Sequence, residues 1–263
     1  MKITGLALPL VLLAACAAEP QVHSPKNDLG LLWVKHAAEY EAIARQVYQS
    51  ATDALPGYIE DKSWSAIPDQ SGAEALPPAV ILDVDETVVA NVDFQLEYER
   101  PFDNWKLDEW ARHTAATPIP GVRKFVEAAR DQGVTVFFIT NRPCEPRAGV
   151  DGPCPQKQTT IDGIAEIGLA TDAEHVFMSE EQGWNREKST RRDFVAQTHR
   201  VIMLIGDDVT DFIPCMRSSP KPPCTAAATS ASRRNSVADH ARYWGNGWYI
   251  LPNPMHGSWT SVH

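Results

Sequence analysis

Basic charge is what this chain is short of. Its 24 lysines and arginines face 34 aspartates and glutamates, leaving a net charge of −10 and a pI near 5.3. A nucleic-acid polymer is held by clustered Lys and Arg, so the balance argues against one as partner. A small anion would need positive charge concentrated at its own site. Apolar runs long enough to cross a bilayer as a helix are also missing. No internal repeat is found. Cysteines number five, and no paired histidines accompany them in a zinc-binding spacing. What is present is ordinary for a globular protein: 263 residues of 29.0 kDa, 43% of them hydrophobic. That suits one large α/β domain with an accessory lobe, or two small domains.

The first residues read as an address. Met1-Lys2 gives a positive end, and Ile3 to Leu13 an apolar core too short for an ordinary transmembrane helix. Leu13-Ala14-Ala15-Cys16 resembles a bacterial lipobox, in which Cys16 is lipidated and becomes the mature N-terminus. The competing reading is a plain secretory signal with a chance cysteine. Ala17, where some lipoproteins carry aspartate, is similar to the pattern that sends them to the outer membrane. Export implies an oxidising compartment, so the other four cysteines are disulfide candidates. Cys144 with Cys154 and Cys215 with Cys224 are the economical local pairs among three connectivities, and the connectivity stays open at this point.

Along the chain, a polar tether from Cys16 to about Lys26 leads to Asn27 or Asp28, either of which can cap a helix. Leu29, Leu32, Trp33, Ala37, Tyr40, Ile43, Ala44, Val47 and Tyr48 follow helical spacing, predicting one helix that stops near Leu55, before Pro56-Gly57. Residues 61–78 look irregular. A strand is expected at 79–82, followed by an aromatic-rich insertion between Asn91 and Gly121. Next come a helix from Val122 to Gln132, a strand over 134–139, a helix over 156–167 and a short strand over 175–178. A helix from about Lys188 then leads to a strand over 201–205. Such alternation calls for a parallel sheet covered by helices on both faces. Residues 217–236, rich in Ser, Pro, Ala and Arg, predict an exposed loop. A last strand at 248–251 leads into a loop, 252–259, that would return towards the site.

The chemistry gathers at the strand ends. Ala79-Val80-Ile81-Leu82 runs into Asp83-Val84-Asp85-Glu86-Thr87, and Val201-Ile202-Met203-Leu204-Ile205 into Gly206-Asp207-Asp208-Val209-Thr210-Asp211. Ligands of open α/β sheets bind beyond the carboxyl ends of the strands. If the two strands are parallel neighbours, Asp83, Asp85, Asp207 and Asp211 converge. Two carboxylates about 4 Å apart repel by roughly 4 kcal/mol at an effective dielectric near 20, so the cluster needs a cation. All-oxygen ligands favour a hard one such as Mg²⁺. Thr140 ends another strand, and Lys188 opens a helix. Each signal alone is weak, since a lone threonine is usually a strand end and a lone lysine a solvated helix start. The order Asp83-x-Asp85, Thr140, Lys188, Gly206-Asp207…Asp211 is the set of parts phosphoryl transfer requires.

These four signals resemble the motifs of the haloacid dehalogenase (HAD) superfamily. The blocks Ile81 to Asn91 and Ile205 to Phe212 are similar to the two signature blocks of the class C nonspecific acid phosphatases. Those are bacterial lipoprotein phosphatases, some of them 5′-nucleotidases. The resemblance extends to Leu31-Leu32-Trp33-Val34, Ala38-Glu39-Tyr40, Asn141-Arg142 and Leu251-Pro252-Asn253-Pro254-Met255. Departures are Phe94 for tyrosine, Asp208 for Asn, Thr or Ser, and His256 for tyrosine, and the Cys144–Cys154 segment looks like an addition. The resemblance implies a Rossmann-like parallel sheet with helices on both faces, the HAD fold, plus a smaller, mainly helical lobe. The expected divisions are a signal peptide at 1–15, tether and N-terminal helical segment at 16–78, and a catalytic domain at 79–263. Residues 91–120 and the C-terminal residues would contribute to the lobe.

The expected activity is hydrolysis of a small phosphomonoester. Asp83 would be the nucleophile and Asp85 the proton donor, while Thr140 and Lys188 hold the phosphoryl oxygens. Mg²⁺ would lie among Asp83, the Asp85 carbonyl, Asp207 and Asp211. Asp211 has a competing reading as a helix cap, and Arg142 could contact substrate phosphate or pair with a nearby carboxylate. Glu86 and Asp208 read as local structure. His256, with Trp105 or Trp110, would sandwich a nucleobase. The chain would sit on the outer membrane through its lipid, facing the periplasm or the surface, and relatives suggest a homodimer. A rival class is a surface lipoprotein that binds a ligand such as haem on an idle enzyme scaffold. Arg112-His113-Thr114 lacks the glycine, arginine and proline spacing of histidine acid phosphatases.

Overall fold

The computed structural model of the protein describes residues 28–98 and 102–262. Cys16 and the address segment lie outside them. The architecture is built on two apolar runs buried on both faces, β1 (Pro78–Leu82) and β6 (Arg200–Gly206), as parallel strands between helical layers should be. Three further strands complete the sheet: β4 (Thr135–Pro143), β5 (Val176–Ser179) and β7 (Trp248–Ile250). The order is β5-β4-β1-β6-β7, and every pairing is parallel. β1 is therefore central, with Leu82 level with Phe138 of β4 on one side and Ile205 of β6 on the other. That register sets Asp83, Thr140 and Asp207 at one edge.

Alternate residues of each strand feed opposite cores. Val80, Leu82, Val136 and Phe138 meet Tyr48 and Leu55 of α2 (Ala38–Glu60) and Phe125 of α5 (Val122–Asp131). Ala79, Ile81, Phe137 and Ile139 meet Val195 of α7 (Ser189–Ala196), Phe212 and Trp248. Gly121 has φ +101° and lies where a Cβ would come 2.9 Å from Tyr48, so only glycine allows α5 this close to α2.

The N-terminal helix differs from the single one expected. α1 (Leu29–His36), capped by Asp28, is separated from α2 by extended Ala37. α2 also continues through Pro56 to Glu60. The physical reason is Arg200, whose fully buried guanidinium donates to the carbonyls of Tyr58, Ile59, Asp61 and Trp64 at 2.9–3.1 Å. A cation satisfying the last carbonyls of a helix offsets the hydrogen bond that proline removes.

The insertion after β1 holds α3 (Val92–Glu97), α4 (Asn104–His113) and a hairpin of β2 (Val89–Ala90) with β3 (Thr117–Pro118). α6 (Pro155–Glu166) lies between β4 and β5. The expected loop at 217–236 is corrected by α8 (Ser230–Asp239), which has no buried residue and is started by a Thr229–Ser232 capping box. Cys144 pairs with Cys154 and Cys215 with Cys224. Among the described residues, no helix is long and apolar enough to cross a membrane.

Candidate active site

The β1 and β6 tips meet. The Asp83 amide donates to the Ile205 carbonyl at 2.9 Å, extending the ladder one residue past the strand. The chain then turns at Glu86, a non-glycine residue with φ +60°, and the amides of Val88 and Val89 return to the Val84 carbonyl. Strain of this kind gathers at functional sites. Tyr48 of α2 donates to the Thr87 carbonyl at 2.7 Å, and the Thr87 hydroxyl lies 3.2 Å from Asp83 Oδ2 and 3.4 Å from Asp207 Oδ1.

Asp83, Asp207 and Asp211 each offer a carboxylate oxygen, all within 4.8 Å of one another. Lys188, buried at the start of α7, donates to Asp83 and, at 2.6 Å, to Asp211. Burial alone would make the ammonium shed its proton, but Asp211 and Asp83 push its pKa up and keep it charged. Three carboxylates less one ammonium leave two negative charges. Burial pushes Asp83 up to about 7 against the pull of Lys188, with Asp211 and Asp85 adding to the rise. Burial, then Asp83 and Asp211, likewise push Asp207 well above the ordinary range. At Gly206 a Cβ would come 2.3 Å from Asp211 Oδ2, so glycine leaves that carboxylate room to turn inward. The donor set fits a divalent metal: hard oxygens, two unneutralised charges and one cradle. Asp211 also serves as a cap, its Oδ2 accepting from the Asp208 amide at 3.0 Å, so the capping reading of this residue is what the structure shows.

Asp85 has different company. Arg142 grips it with Nε at 3.0 Å and Nη2 at 2.7 Å from Oδ1, Asn91 donates at 2.8 Å, and the Thr140 hydroxyl donates at 3.1 Å. Burial would raise its pKa, yet the guanidinium and these hydrogen bonds hold it below the ordinary value. Of the two readings of Arg142, the structure shows the pairing with a carboxylate. Arg191, fully buried, supports this corner by donating to the Thr140 carbonyl at 2.5 Å and to Asn141 Oδ1 at 2.7 Å.

The segment after β7 does return. Asn253 donates to Asp207 Oδ2 at 2.7 Å, and Ser258 donates through its amide (2.5 Å) and hydroxyl (2.6 Å) to Asp208. Asp208, the acidic departure from the family pattern, thus fastens this loop. His256 Nε2 stands 3.0 Å from Glu86 Oε2, while Glu86 Oε1 accepts from the Asn91 amide at 3.0 Å. Burial lowers the His256 pKa, but the Glu86 charge outweighs it and the net shift is upward. Trp110 of α4 lines a recess with Val84, Val89, Asn91, Arg142 and Thr160. Trp105 does not line it; its ring lies under the Arg147 guanidinium, 5.8 Å from the centroid.

Asp83, Asp85, Thr140, Lys188, Asp207 and Asp211 are therefore brought together, with His256 on the neighbouring Glu86. Sequence reasoning had no role for the Thr87 hydroxyl, Asn253 or Arg191. Asn253 stands between two prolines in a resemblance segment, a signal that could have marked it. Thr87 lies within the Ile81 to Asn91 block and carried the same kind of signal, whereas nothing local marks Arg191.

Residues 23–259 match the family described as HAD superfamily, subfamily IIIB (acid phosphatase). Among solved structures, the chain is similar to the class C acid phosphatase from Bacillus anthracis. Identity is 25% and the TM-score 0.69, over 90% of this chain and 87% of that one. The same Bacillus anthracis enzyme with tungstate bound matches at 24% identity and TM-score 0.70, with the same coverage. The parallel sheet flanked by helices is the HAD fold of these neighbours. With the family match running through almost all of its length, the chain belongs to the subfamily IIIB acid phosphatases of the HAD superfamily, and is a phosphomonoester hydrolase.

Proposed function

We propose that the protein is a Mg²⁺-dependent phosphomonoesterase working through an aspartyl-phosphate on Asp83. The observation that carries this reading is the contrast within one strand tip: Asp83 faces Lys188 and the other carboxylates, while Asp85 faces Arg142, Asn91 and Thr140. An Asp83 carboxylate oxygen forms a bond to phosphorus as the bond to the ester oxygen breaks, and Asp85, ionised in the free site, passes to that oxygen the proton carried in by the phosphomonoester monoanion. Asp85 then takes a proton from water, the water oxygen bonds to phosphorus, the Asp83–phosphorus bond breaks, and inorganic phosphate leaves. Lys188 holds the nucleophile and a phosphoryl oxygen, and Thr140 turns its hydroxyl from Asp85 to another as the substrate enters. Asp83, Asp207, Asp211 and the Asp85 carbonyl would hold Mg²⁺, which when bound would supply neutralising charge to the phosphoryl group.

The test is hydrolysis of p-nitrophenyl phosphate with Mg²⁺ and with EDTA, by the wild type and by Asp83→Asn. Full activity of the variant would remove the nucleophile assignment; full activity in EDTA would remove the metal.

Trp110 lines the recess beside Asn91, and His256 meets the Glu86 that accepts from the Asn91 amide, which supports a planar leaving group such as a nucleoside. His256→Ala should then lower nucleoside monophosphate activity more than aryl phosphate activity, and an unchanged ratio would sink the nucleotide reading. Lipidation at Cys16, with delivery to the outer membrane, is part of the same proposal and rests on the lipobox pattern alone.

A further inference from the structure

α4 carries Trp110 yet has little core of its own, with only Leu107 and Asp108 buried along it. Apart from Leu107 and the Trp110 ring, which meets Phe94 with centroids 5.8 Å apart, its side-chain ties to the rest of the protein gather on Arg147. The Asp108 carboxylate pairs with Arg112 at 3.2 Å and with Arg147, and Glu109 pairs with Arg147 as well. The same guanidinium covers the Trp105 ring. Residues 105, 108 and 109 share one face of a helix, so a single side chain engages that face at three points.

Arg147 stands in the short loop closed by the Cys144–Cys154 disulfide. One end of the loop begins two residues beyond Arg142, the residue gripping Asp85. The other end, Cys154, is the N-cap residue of α6, where the Thr160 hydroxyl lies 3.3 Å from Arg142 Nη1. The loop is thus tied at both ends to the elements that place Arg142, and it reaches across to the helix that places Trp110. Arg142 and Trp110 are walls of the same recess, and Arg142 and Asn91, another of its walls, both donate to Asp85.

We propose that Arg147 is a positioning residue for leaving-group specificity: the disulfide-closed loop uses it to clamp α4, and so fixes Trp110 at the wall that a planar leaving group would meet. Arg147 itself touches no substrate. The inference rests on the phosphomonoesterase reading and adds to it a device outside the catalytic cluster.

The experiment compares wild type, Arg147→Gln, Arg147→Lys and the Cys144→Ser/Cys154→Ser double variant, with Cys215→Ser/Cys224→Ser as a control for loss of a disulfide elsewhere. Each is assayed with Mg²⁺ on p-nitrophenyl phosphate, a nucleoside 5′-monophosphate and glycerol phosphate. Arg147→Gln should raise KM for the two planar leaving groups about tenfold, the scale of losing one good pocket contact. The glycerol phosphate KM and all three kcat values should stay within about twofold. The first disulfide variant should reproduce this split and the control should not. Lysine can pair with one carboxylate but cannot fork to two, so Arg147→Lys should recover part of the loss. Equal KM changes for all three substrates, or none, in both Arg147→Gln and the first disulfide variant would overturn the inference. A wild type inactive on all three would instead sink the function reading. Should Arg147→Gln fail to fold, the lysine and cysteine variants carry the same comparison.

Discussion

Asp83 and Asp85 are two residues apart on one strand tip and live in opposite electrostatic worlds. On the Asp83 side, three carboxylates share one ammonium, and the pKa values of Asp83 and Asp207 are driven up. On the Asp85 side, one carboxylate has a forked guanidinium, an amide and a hydroxyl to itself, and its pKa is driven down. The first side is short of positive charge and has the acidic groups to hold a cation. The second is complete within the protein. The difference comes from strand geometry: side chains alternate along an extended chain, so residues i and i+2 project on one side yet reach different neighbours. Asp83 meets β6 and α7, whereas Asp85 meets β4 and the turn at Asn91.

The sharpest way to break this comparison is to neutralise one side at a time. Asp83→Asn keeps the shape and removes the nucleophile, so kcat on p-nitrophenyl phosphate should fall by roughly 10⁴-fold or more, as when one member of a cooperating catalytic set is lost. Asp85→Asn should cost about 10²- to 10⁴-fold on alkyl phosphates, the usual worth of a positioned general acid. On p-nitrophenyl phosphate the formation of the aspartyl-phosphate should suffer far less, because p-nitrophenolate leaves without a proton. A pre-steady-state burst of p-nitrophenol would show this directly. Equal losses on both ester classes in that first step would remove the proton-donor role from Asp85.

The carboxylate side was legible in the sequence and its balancing partners mostly were not. Two apolar runs ending in aspartates need only the rule that parallel strands align their carboxyl ends, so Asp83, Asp207 and Asp211 could be placed together without coordinates. Thr140 and Lys188 followed from the same order of strand ends and helix starts. The forked grip of Arg142 on Asp85 depends on a register between β1 and β4 that periodicity does not report. α2 passes Pro56 because Arg200, 144 positions later, takes up its final carbonyls. α8 escaped notice because it buries nothing and so leaves no apolar period. Trp105 and Trp110 lie on one helix at a spacing that separates their faces, and the tertiary contact with Arg147 decides which one borders the recess.

The smallest expected effect is on stability, and it tests the charge deficit itself. A cation that binds the folded state at a hundred times its dissociation constant stabilises by about 2.7 kcal/mol, so Mg²⁺ should raise the Tm of the EDTA-treated protein. The pH dependence has a definite sign. Asp83 is raised from the ordinary aspartate value to about 7 without a cation, so its proton stabilises the folded state at low pH. That contribution is present below about pH 4 and is lost as pH rises towards 7. Protons and the metal compete for the same oxygens, so the gap in Tm between Mg²⁺ and EDTA should open across this window and level off above it. Asp207→Asn should close the gap and raise the EDTA-state Tm, since it deletes a crowded carboxylate. Asp85→Asn should leave the gap in place, because its side chain belongs to the self-neutralised half. A gap that ignores pH, or one that Asp85→Asn closes as fully as Asp207→Asn does, would mean the two halves of the strand tip are one charge system.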